Sequence, residues 1–290
     1  MLFKQKQLVI RQAAPEDQRR LANLLHFGAY VHRHLDWRQP LDWIGYQPFE
    51  IVELNGEIQG ALACPPDPPN VAWIRLFAAS QDISTEQVWD HLWPVALEKL
   101  RGLNGPVNVA VIPLQSWFRR LVELSDFAHS HQVIVLSWKQ KPIPAERQTP
   151  GLRLRPMLLG DLAAVEWVDA AAFGGVWQNS RSCLEVAFRQ SASATVAELY
   201  GQIVGYQIST ATPVGGHLAR LAVRPESQGL SIGYNLLRDM LSQFERRGAT
   251  QVTVNTQQNN EVSLSLYSKL GFERTGEEYP VYQWNVLSIA

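Results

Sequence analysis

The chain has 290 residues, 46% hydrophobic and 18% charged, so it can bury the cores of two globular domains. Its 26 basic and 27 acidic residues nearly cancel, which argues against nucleic acid or a charged membrane surface as a partner. No apolar run can span a bilayer, and the two isolated cysteines, Cys64 and Cys183, form no metal motif and indicate free thiols in a reducing cytoplasm.

The elements predicted along the chain occur twice in the same order. Each copy reads as a strand, a helical region, a two-stranded hairpin, a strand, a helix, a strand, a second helix and a terminal strand region. The hairpins at 54–60 and 199–205 lie 145 residues apart, and Arg75 and Arg220 keep that spacing. A fixed spacing of this size indicates a duplicated domain.

A proline-rich polar segment separates the two copies. We predict a first domain at 1–140, a linker at 141–151 and a second domain at 152–290. The predicted fold class is α/β (α+β), with a mixed central sheet flanked by helices in each domain.

In the second copy, a glycine-bearing turn from Gln228 to Gly233 joins a predicted strand at 218–223 to an amphipathic helix. A helix N-terminus presents unpaired backbone N–H groups and a partial positive charge, and glycines let phosphate oxygens approach the backbone. We therefore predict that this turn binds a pyrophosphate. The apolar residues at helical spacing are Ile232, Leu236, Leu237, Met240, Leu241 and Phe244.

Two motifs of this second copy resemble those of the GNAT superfamily of acyl-CoA-dependent N-acetyltransferases. The first reads Gln228-x-x-Ser231-x-Gly233, and the second reads Asn260-x-x-Ser263-x-x-Leu266-Tyr267-x-Lys269-x-Gly271-Phe272. Both stand in the order and at the spacing of that family. Ser231 departs from the pattern, because it replaces the middle glycine and adds a side chain near the cofactor.

The resemblance implies an acetyl-CoA site in the second domain and no metal. The fourth strand would hold the pantetheine arm through its backbone, and the turn would hold the pyrophosphate. Tyr267 would be the general acid, since a phenol with a pKa of about 10 is protonated at neutral pH. The cofactor-binding residues implied are Leu221, Ala222, Val223, Gln228, Gly229, Leu230, Ser231, Ile232, Gly233 and Asn260.

Several roles stay open at this stage. Asn260 either caps the last helix or contacts the cofactor. No general base is assigned: Asn255 stands where related enzymes often carry a glutamate, and His217 and Glu198 have little support. The acceptor amine would meet the segment 173–181 and the terminal strand region around Tyr279 and Tyr282. Segment 173–181 is either a mobile aromatic lid or a packed loop.

The first copy lacks the turn. The positions of Gln228 and Gly233 are taken by Ile83 and Val88, within a segment whose Asp82 and Glu86 would repel phosphate. We predict a degenerate domain without a cofactor motif, in which tryptophans enlarge the core and plug the vacated cleft.

The sequence therefore predicts an N-acetyltransferase that moves an acyl group from acetyl-CoA to a primary amine of a small molecule or peptide. The alternative is a non-catalytic acyl-CoA-binding regulatory protein. Neither the acceptor nor the choice between monomer and homodimer follows from the residues.

Overall fold

The computed structural model describes residues 8–212 and 215–286, and the chain divides into two compact units. Unit 1 comprises residues 1–130 and 280–290, and unit 2 comprises residues 131–279. No helix within the described ranges is both long and apolar enough to cross a membrane.

Unit 1 is built on a five-stranded antiparallel sheet. Its elements are β1 (Leu8–Gln12), α1 (Gln18–Phe27), β2 (Tyr30–Arg33), β3 (Phe49–Leu54), β4 (Glu57–Ala63), β5 (Val71–Trp73), β6 (Leu76–Ala79), α2 (Thr85–Arg101), β7 (Val107–Val111), α3 (Ser116–Glu123) and the start of β8 (Ala128–Trp138). The sheet order is β1–β3–β4–β6–β2, and β5 pairs with β7 in parallel. Helix α2 covers the sheet with apolar residues that include Trp89 and Trp93.

Unit 2 is a seven-stranded mixed sheet with helices. It takes the rest of β8 and then β9 (Leu152–Pro156), α4 (Leu162–Ala172), α5 (Arg181–Gln190), β10 (Ser193–Leu199), β11 (Gln202–Thr212), β12 (Gly215–Val223), α6 (Ile232–Arg246), β13 (Gln251–Gln257), α7 (Glu261–Lys269) and the first half of β14 (Glu273–Val286). The order is β14–β8–β13–β12–β11–β10–β9. Only the pair β12–β13 is parallel among the pairs whose register is determined.

The predicted fold class is confirmed, and local details repeat at the predicted spacing. Each hairpin turns through two residues with positive φ, Asn55–Gly56 in unit 1 and Tyr200–Gly201 in unit 2. Such pairs form the turns whose twist matches that of a β-hairpin. Each hairpin also carries a bulge at the same place, between Val52 and Glu53 and between Ala197 and Glu198.

An ionic cluster at the start of each copy repeats as well. Arg155 donates to Asp161 at 2.6 Å and to Glu198 at 2.7 Å, and Arg11 makes the same two contacts in unit 1. The hydrogen bonds from Arg155 lower the pKa of Asp161. Glu198 is thus held by Arg155 in a structural ionic cluster, so it is not free to act as a catalytic base.

The terminal strands are exchanged between the copies. Residues 133–138 of β8, which end the first copy in sequence, pair with β13 inside unit 2. Residues 282–286 of β14, which end the second copy, pair with β7 inside unit 1. The compact units therefore differ from the predicted domain boundaries at 131–151 and at 280–290.

Most of the predicted linker lies along α6 rather than standing free. The backbone of Arg147 exchanges hydrogen bonds with the buried amide of Asn235, and its guanidinium lies 4.1 Å from the centre of the Tyr234 ring. The Ala145 carbonyl accepts from the Tyr234 hydroxyl, and the Pro144 carbonyl accepts from Arg238. We call the segment 144–147 the strap. It belongs to unit 2, and side chains of α6 form hydrogen bonds with its backbone groups.

Candidate active site

Strands β12 and β13 part within unit 2. They pair from Gly215–Gln251 to Leu218–Val254 and no further, whereas β12 stays paired with β11 as far as Val223. The second half of β12 therefore has one neighbour, β11, and an open edge toward β13. We call this opening the cleft.

Backbone groups of β12 point alternately toward β11 and toward the cleft, and the pairing with β11 shows which residues point each way. The Arg224 N–H donates to the Val204 carbonyl of β11 at 2.8 Å. Alternate residues of an antiparallel pair direct both backbone groups to the partner, so Ala222 also faces β11, and Leu221 and Val223 face the cleft. Of the three residues expected to hold pantetheine by their backbone, Leu221 and Val223 face the cleft, where that contact stays a prediction, whereas the backbone of Ala222 faces β11.

The predicted turn leads from β12 into α6 beside the cleft. Gly229 has φ of +79°, a conformation that favours glycine. Ser231 is the N-cap of α6, and its side chain makes no capping hydrogen bond. The first intrahelical bond joins the Asn235 N–H to the Ser231 carbonyl, so the N–H groups of Ile232 and Gly233 have no partner within the helix.

Close packing brings this helix end to the sheet. A Cβ at Gly205 would lie 3.3 Å from a methyl group of Ile232 and 3.0 Å from the Ala222 carbonyl oxygen. Glycine at 205 therefore lets α6 approach β11, which fixes the turn next to the cleft. Ile232 is 1% exposed and packs with Val204 and Leu236, so only its backbone is available to a ligand.

Two other turn residues hold the loop in shape. The Gln228 side-chain amide donates to the Val223 carbonyl at 3.1 Å, and the Leu230 carbonyl accepts from the Thr149 hydroxyl at 2.9 Å. An amide group has two N–H donors, so Gln228 keeps one for a ligand. The expected phosphate contact of Gln228 stays a prediction.

Ser231 has φ of +60° and ψ of 14°, the left-handed conformation. We expect Ser231→Gly to raise the free energy of unfolding by about 1 kcal/mol, because a side chain in this conformation is strained. Urea unfolding measures the change. Ser231→Ala is the control, since it keeps the strain and removes only the hydroxyl. A lower stability for Ser231→Gly would show that the hydroxyl outweighs the strain.

The second motif forms α7. The Asn260 side chain accepts from the Ser263 N–H at 3.1 Å, so Asn260 caps the helix, and a cofactor contact stays a prediction. Tyr267 is 5% exposed and lies in the core shared with α6 and β8. Burial raises its pKa to about 12, an effect that a hydrogen bond with Ser263 partly offsets. Tyr267 therefore keeps its proton throughout the physiological pH range.

The residues predicted for proton transfer and acceptor binding each have a hydrogen-bond partner. His217 bonds to the Thr253 hydroxyl at 2.9 Å, and burial lowers the pKa of its imidazole. The Tyr279 hydroxyl donates to Glu277 at 3.0 Å within unit 2. Tyr282 belongs to unit 1, where it is 4% exposed and donates to Glu123, and its expected contact with the acceptor stays a prediction.

In unit 1 the equivalent edge is occupied by the chain itself. Strand β6 corresponds to the cleft-facing half of β12, and it pairs with β4 on one side and with β2 on the other. β2 lies where unit 2 has the open cleft. A main-chain strand therefore closes this edge, and the predicted tryptophans contribute to the core beside it.

The helix that follows β6 is also closed. Ser84 caps α2 by accepting from the Gln87 N–H at 3.1 Å, and the Gln87 side chain points back to the Ser84 N–H. Asp82 and Glu86 flank this cap and are exposed. The open strand edge and the uncapped helix N-terminus, which would receive a CoA thioester in unit 2, are thus both absent from the described part of unit 1.

The residues of unit 2 fit the cofactor that the motifs imply. The open edge of β12 offers backbone groups to an amide-rich arm, and the uncapped α6 terminus offers N–H groups to phosphates. A Cβ at Gly233 would meet Leu266 at 3.4 Å and Val223 at 3.6 Å, so the site is narrow at this point. Within residues 8–212 and 215–286, no cluster of His, Cys, Asp and Glu could hold a metal ion.

Parted parallel strands beside an uncapped glycine turn fit the acyl-CoA-binding domain that the resemblance implied. Residues 166–282 match the family model described as "Acetyltransferase (GNAT) domain". This match assigns residues 166–282 to the GNAT family, as the motifs of the second copy predicted.

Comparison with individual proteins agrees with this assignment. The mycothiol acetyltransferase of Saccharomonospora viridis is 28% identical over 176 residues, which cover 53% of this chain and 57% of that relative. A Bacillus subtilis protein named as a [ribosomal protein bS18]-alanine N-acetyltransferase is 24% identical over 123 residues, 42% of this chain and 82% of its own. The chain thus spans little more than half the length of the first relative.

A solved structure shares the fold over both copies. The tandem GNAT protein from the clavulanic acid biosynthesis pathway superposes with a TM-score of 0.65 at 15% identity, covering 98% of this chain and all of that one. The duplicated architecture predicted from the sequence is therefore one found in a known tandem protein.

Sequence reasoning missed two features of the site. Asp169 and Arg220 form a buried ion pair behind the cleft, and only Arg220 gave a signal, through its match with Arg75. No signal in the sequence indicated strand β2, because β2 is short and the equivalent residues of unit 2 form no strand.

Proposed function

We propose that unit 2 binds acetyl-CoA and transfers its acyl group to a primary amine. The observation that carries the proposal is the cleft itself, an open strand edge at Leu221 and Val223 next to the uncapped N-terminus of α6. Acetyl-CoA supplies an activated thioester to such a site. The turn Gln228–Gly233 would hold the pyrophosphate through backbone N–H groups.

The described residues offer a proton donor for the thiolate, but among them no side chain is assigned as a base for the amine. The amine must be neutral to form the new C–N bond as the C–S bond breaks. Tyr267, protonated because of its raised pKa, would donate its proton to the departing thiolate sulfur. The amine loses its own proton to water in this proposal, since Asn255 offers no base and Glu198 is held by Arg155.

The acceptor is a primary amine of a small molecule or a peptide. The name of one relative mentions mycothiol and that of another the alanine of ribosomal protein bS18, so neither class of acceptor is preferred. A cytoplasmic location accords with the two cysteines, both buried, and stays a prediction.

Calorimetric titration of acetyl-CoA into the full chain tests binding, and thiol release in the presence of amines tests transfer. We expect one site per chain and turnover with at least one amine among peptides with a free N-terminus, polyamines and amino sugars. Binding without turnover by any amine would favour the alternative, an acyl-CoA-binding regulator. No binding would refute both.

Tyr267→Phe is expected to lower kcat about 100-fold, the usual loss when a proton donor is removed, and to leave acetyl-CoA affinity unchanged. The wild-type rate should not decline on the alkaline side below about pH 10, because the raised pKa keeps the phenol protonated. Steady-state kinetics from pH 7 to pH 10 measure both effects.

Tyr234→Phe is the matched control for that substitution. Tyr234 is equally buried, and its hydroxyl donates to the Ala145 carbonyl of the strap. We expect this variant to lose stability but to keep kcat. An unchanged kcat in Tyr267→Phe would remove the assigned acid and leave the binding proposal standing.

A further inference from the structure

A buried ion pair between Arg220 and Asp169 joins β12 to the last turn of α4, from which a loop leads to α5. The Arg220 Nε donates to Asp169 at 2.8 Å and its Nη2 donates at 2.9 Å, so the guanidinium meets the carboxylate with two bonds. The same Nη2 donates to the Trp177 carbonyl at 2.6 Å. The guanidinium also lies 3.5 Å from the centre of the Phe173 ring. We call these contacts the Arg220 clasp.

Asp169 has no exposed surface and is satisfied by several donors. Besides Arg220, it accepts from the Tyr206 hydroxyl of β11 and from the Asn179 N–H at 3.0 Å. Burial and the Asp169 charge raise the pKa of Tyr206 well above its ordinary value, so Tyr206 remains a donor. The clasp thus binds both ends of the loop, at Phe173 and at Asn179, to one buried carboxylate.

The position of the loop relates it to the cleft. Leu221 and Val223 pack toward α6, whereas Arg220 reaches α4 on the opposite face of β12. The Trp177 indole meets the His131 ring edge-on at 5.8 Å, and His131 lies on β8. Since β13 lies between β8 and β12 in the sheet, the loop passes across the end of β13 where the strands part.

Unit 1 contains the same device at the equivalent arginine. Arg75 donates to Asp36 at 2.9 Å, and its guanidinium lies 4.7 Å from the centre of the Trp43 ring. Arg75 is 7% exposed and sits 145 residues before Arg220. Arg75, one residue before β6, and Arg220, on β12, therefore both contact a segment that follows the first helix of their copy.

We propose that Arg220 is a positioning residue that holds the loop 173–179 across the cleft as one wall of the acceptor site. This inference rests on the proposed function, because the wall serves an amine only if transfer occurs there. A planar guanidinium bonds a carboxylate with two parallel bonds and stacks on an aromatic ring, and a lysine can do neither. The loop is thus an anchored wall and not a mobile lid.

The test compares Arg220→Met, Arg220→Lys and Asp169→Asn with the wild type by hydrogen exchange of the segment 170–180. We expect exchange there to rise at least about tenfold in Arg220→Met and to be only partly restored in Arg220→Lys. The Kd of acetyl-CoA should stay within about threefold, because Leu221 and Val223 keep their backbone positions. Unchanged exchange would overturn the clasp.

Kinetics then decide the acceptor role, using the amine with the highest wild-type rate in the screen. We expect KM for that amine to rise at least about tenfold in Arg220→Met, since displacing a positioning loop costs this much or more. Arg75→Met is the matched control, with the same substitution in unit 1, and should leave KM unchanged. An unchanged KM in Arg220→Met, or an equal rise in Arg75→Met, would overturn the positioning role.

The outcomes separate this inference from the proposed function. Acetyl-CoA binding without wild-type turnover of any amine defeats the proposed transfer and, with it, the role of the loop as an acceptor wall. Turnover with an unaltered KM in Arg220→Met defeats only the inference.

Discussion

A glutamate at position 233 is expected to abolish acetyl-CoA binding, with a loss of at least about 100-fold in affinity. The N–H of Gly233 belongs to the first turn of α6, where no side-chain cap competes for it. A carboxylate in this turn would place a negative charge where phosphate oxygens must approach the positive helix end. Calorimetric titration of the full chain, beside the wild type, measures the loss.

Two variants separate charge from shape. Gly160→Glu adds the same charge in unit 2, at a position where a Cβ meets nothing within 4 Å, and should bind normally. Gly233→Ala adds only a methyl group, which Leu266 and Val223 leave room for at ordinary contact distances. It should stabilise the helix by about 1 kcal/mol and weaken binding less than the glutamate does.

Retained binding in Gly233→Glu would place the cofactor elsewhere in the chain. Two sites in the wild type would contradict the closure of unit 1 by β2 and by the Ser84 cap. The two results are distinguishable, because the variant removes only the site in unit 2.

The sequence predicted the elements whose signal is local. The spacing of Ile232, Leu236 and Met240 identified the buried face of α6, and all three are at most 1% exposed. The hairpins were predictable because Asn55–Gly56 and Tyr200–Gly201 are short turns between apolar runs. The placement of the turn beside β12 followed from the same local order.

Features that depend on distant pairing were not predictable. Strand β2 closes the edge of β6, yet the same stretch of the second copy forms a short 3-10 helix (Gly175–Trp177) instead of a strand, so the outcome depends on tertiary contacts. The backbone of Ala222 points away from the cleft because of the register of β12 with β11, which the sequence does not show. The exchange of terminal strands cannot be predicted from the sequence, because each copy ends in a similar strand and nothing local shows which unit that strand joins.

Strand exchange predicts that the second copy cannot fold from its own sequence alone. A fragment of residues 152–290 lacks β8, which supplies Ile134, Leu136 and Trp138 to the core around Tyr267. It also exposes the edge of β13 and removes the strap from α6. We expect it to aggregate or remain unfolded, since an unpaired apolar edge invites association.

The fragment of residues 131–279 is the matched comparison, because it contains every strand and helix of unit 2. We expect this fragment to unfold cooperatively in circular dichroism and to bind acetyl-CoA with about the affinity of the full chain. Cooperative folding and binding by 152–290 would contradict the prediction and would support 141–151 as the linker between two separate domains.

A single substitution in the full chain tests the same exchange without truncation. Trp138 lies in the first copy by sequence, yet it has no exposed surface and belongs to the core of unit 2. Trp138→Ala should cost about 3–5 kcal/mol of unfolding free energy, as other buried tryptophans do, and should impair acetyl-CoA binding near the unfolding transition. Trp89→Ala removes an equally buried tryptophan from the core of unit 1. If the first copy completes the second through β8, only Trp138→Ala lowers the melting temperature of the transition that acetyl-CoA shifts upward.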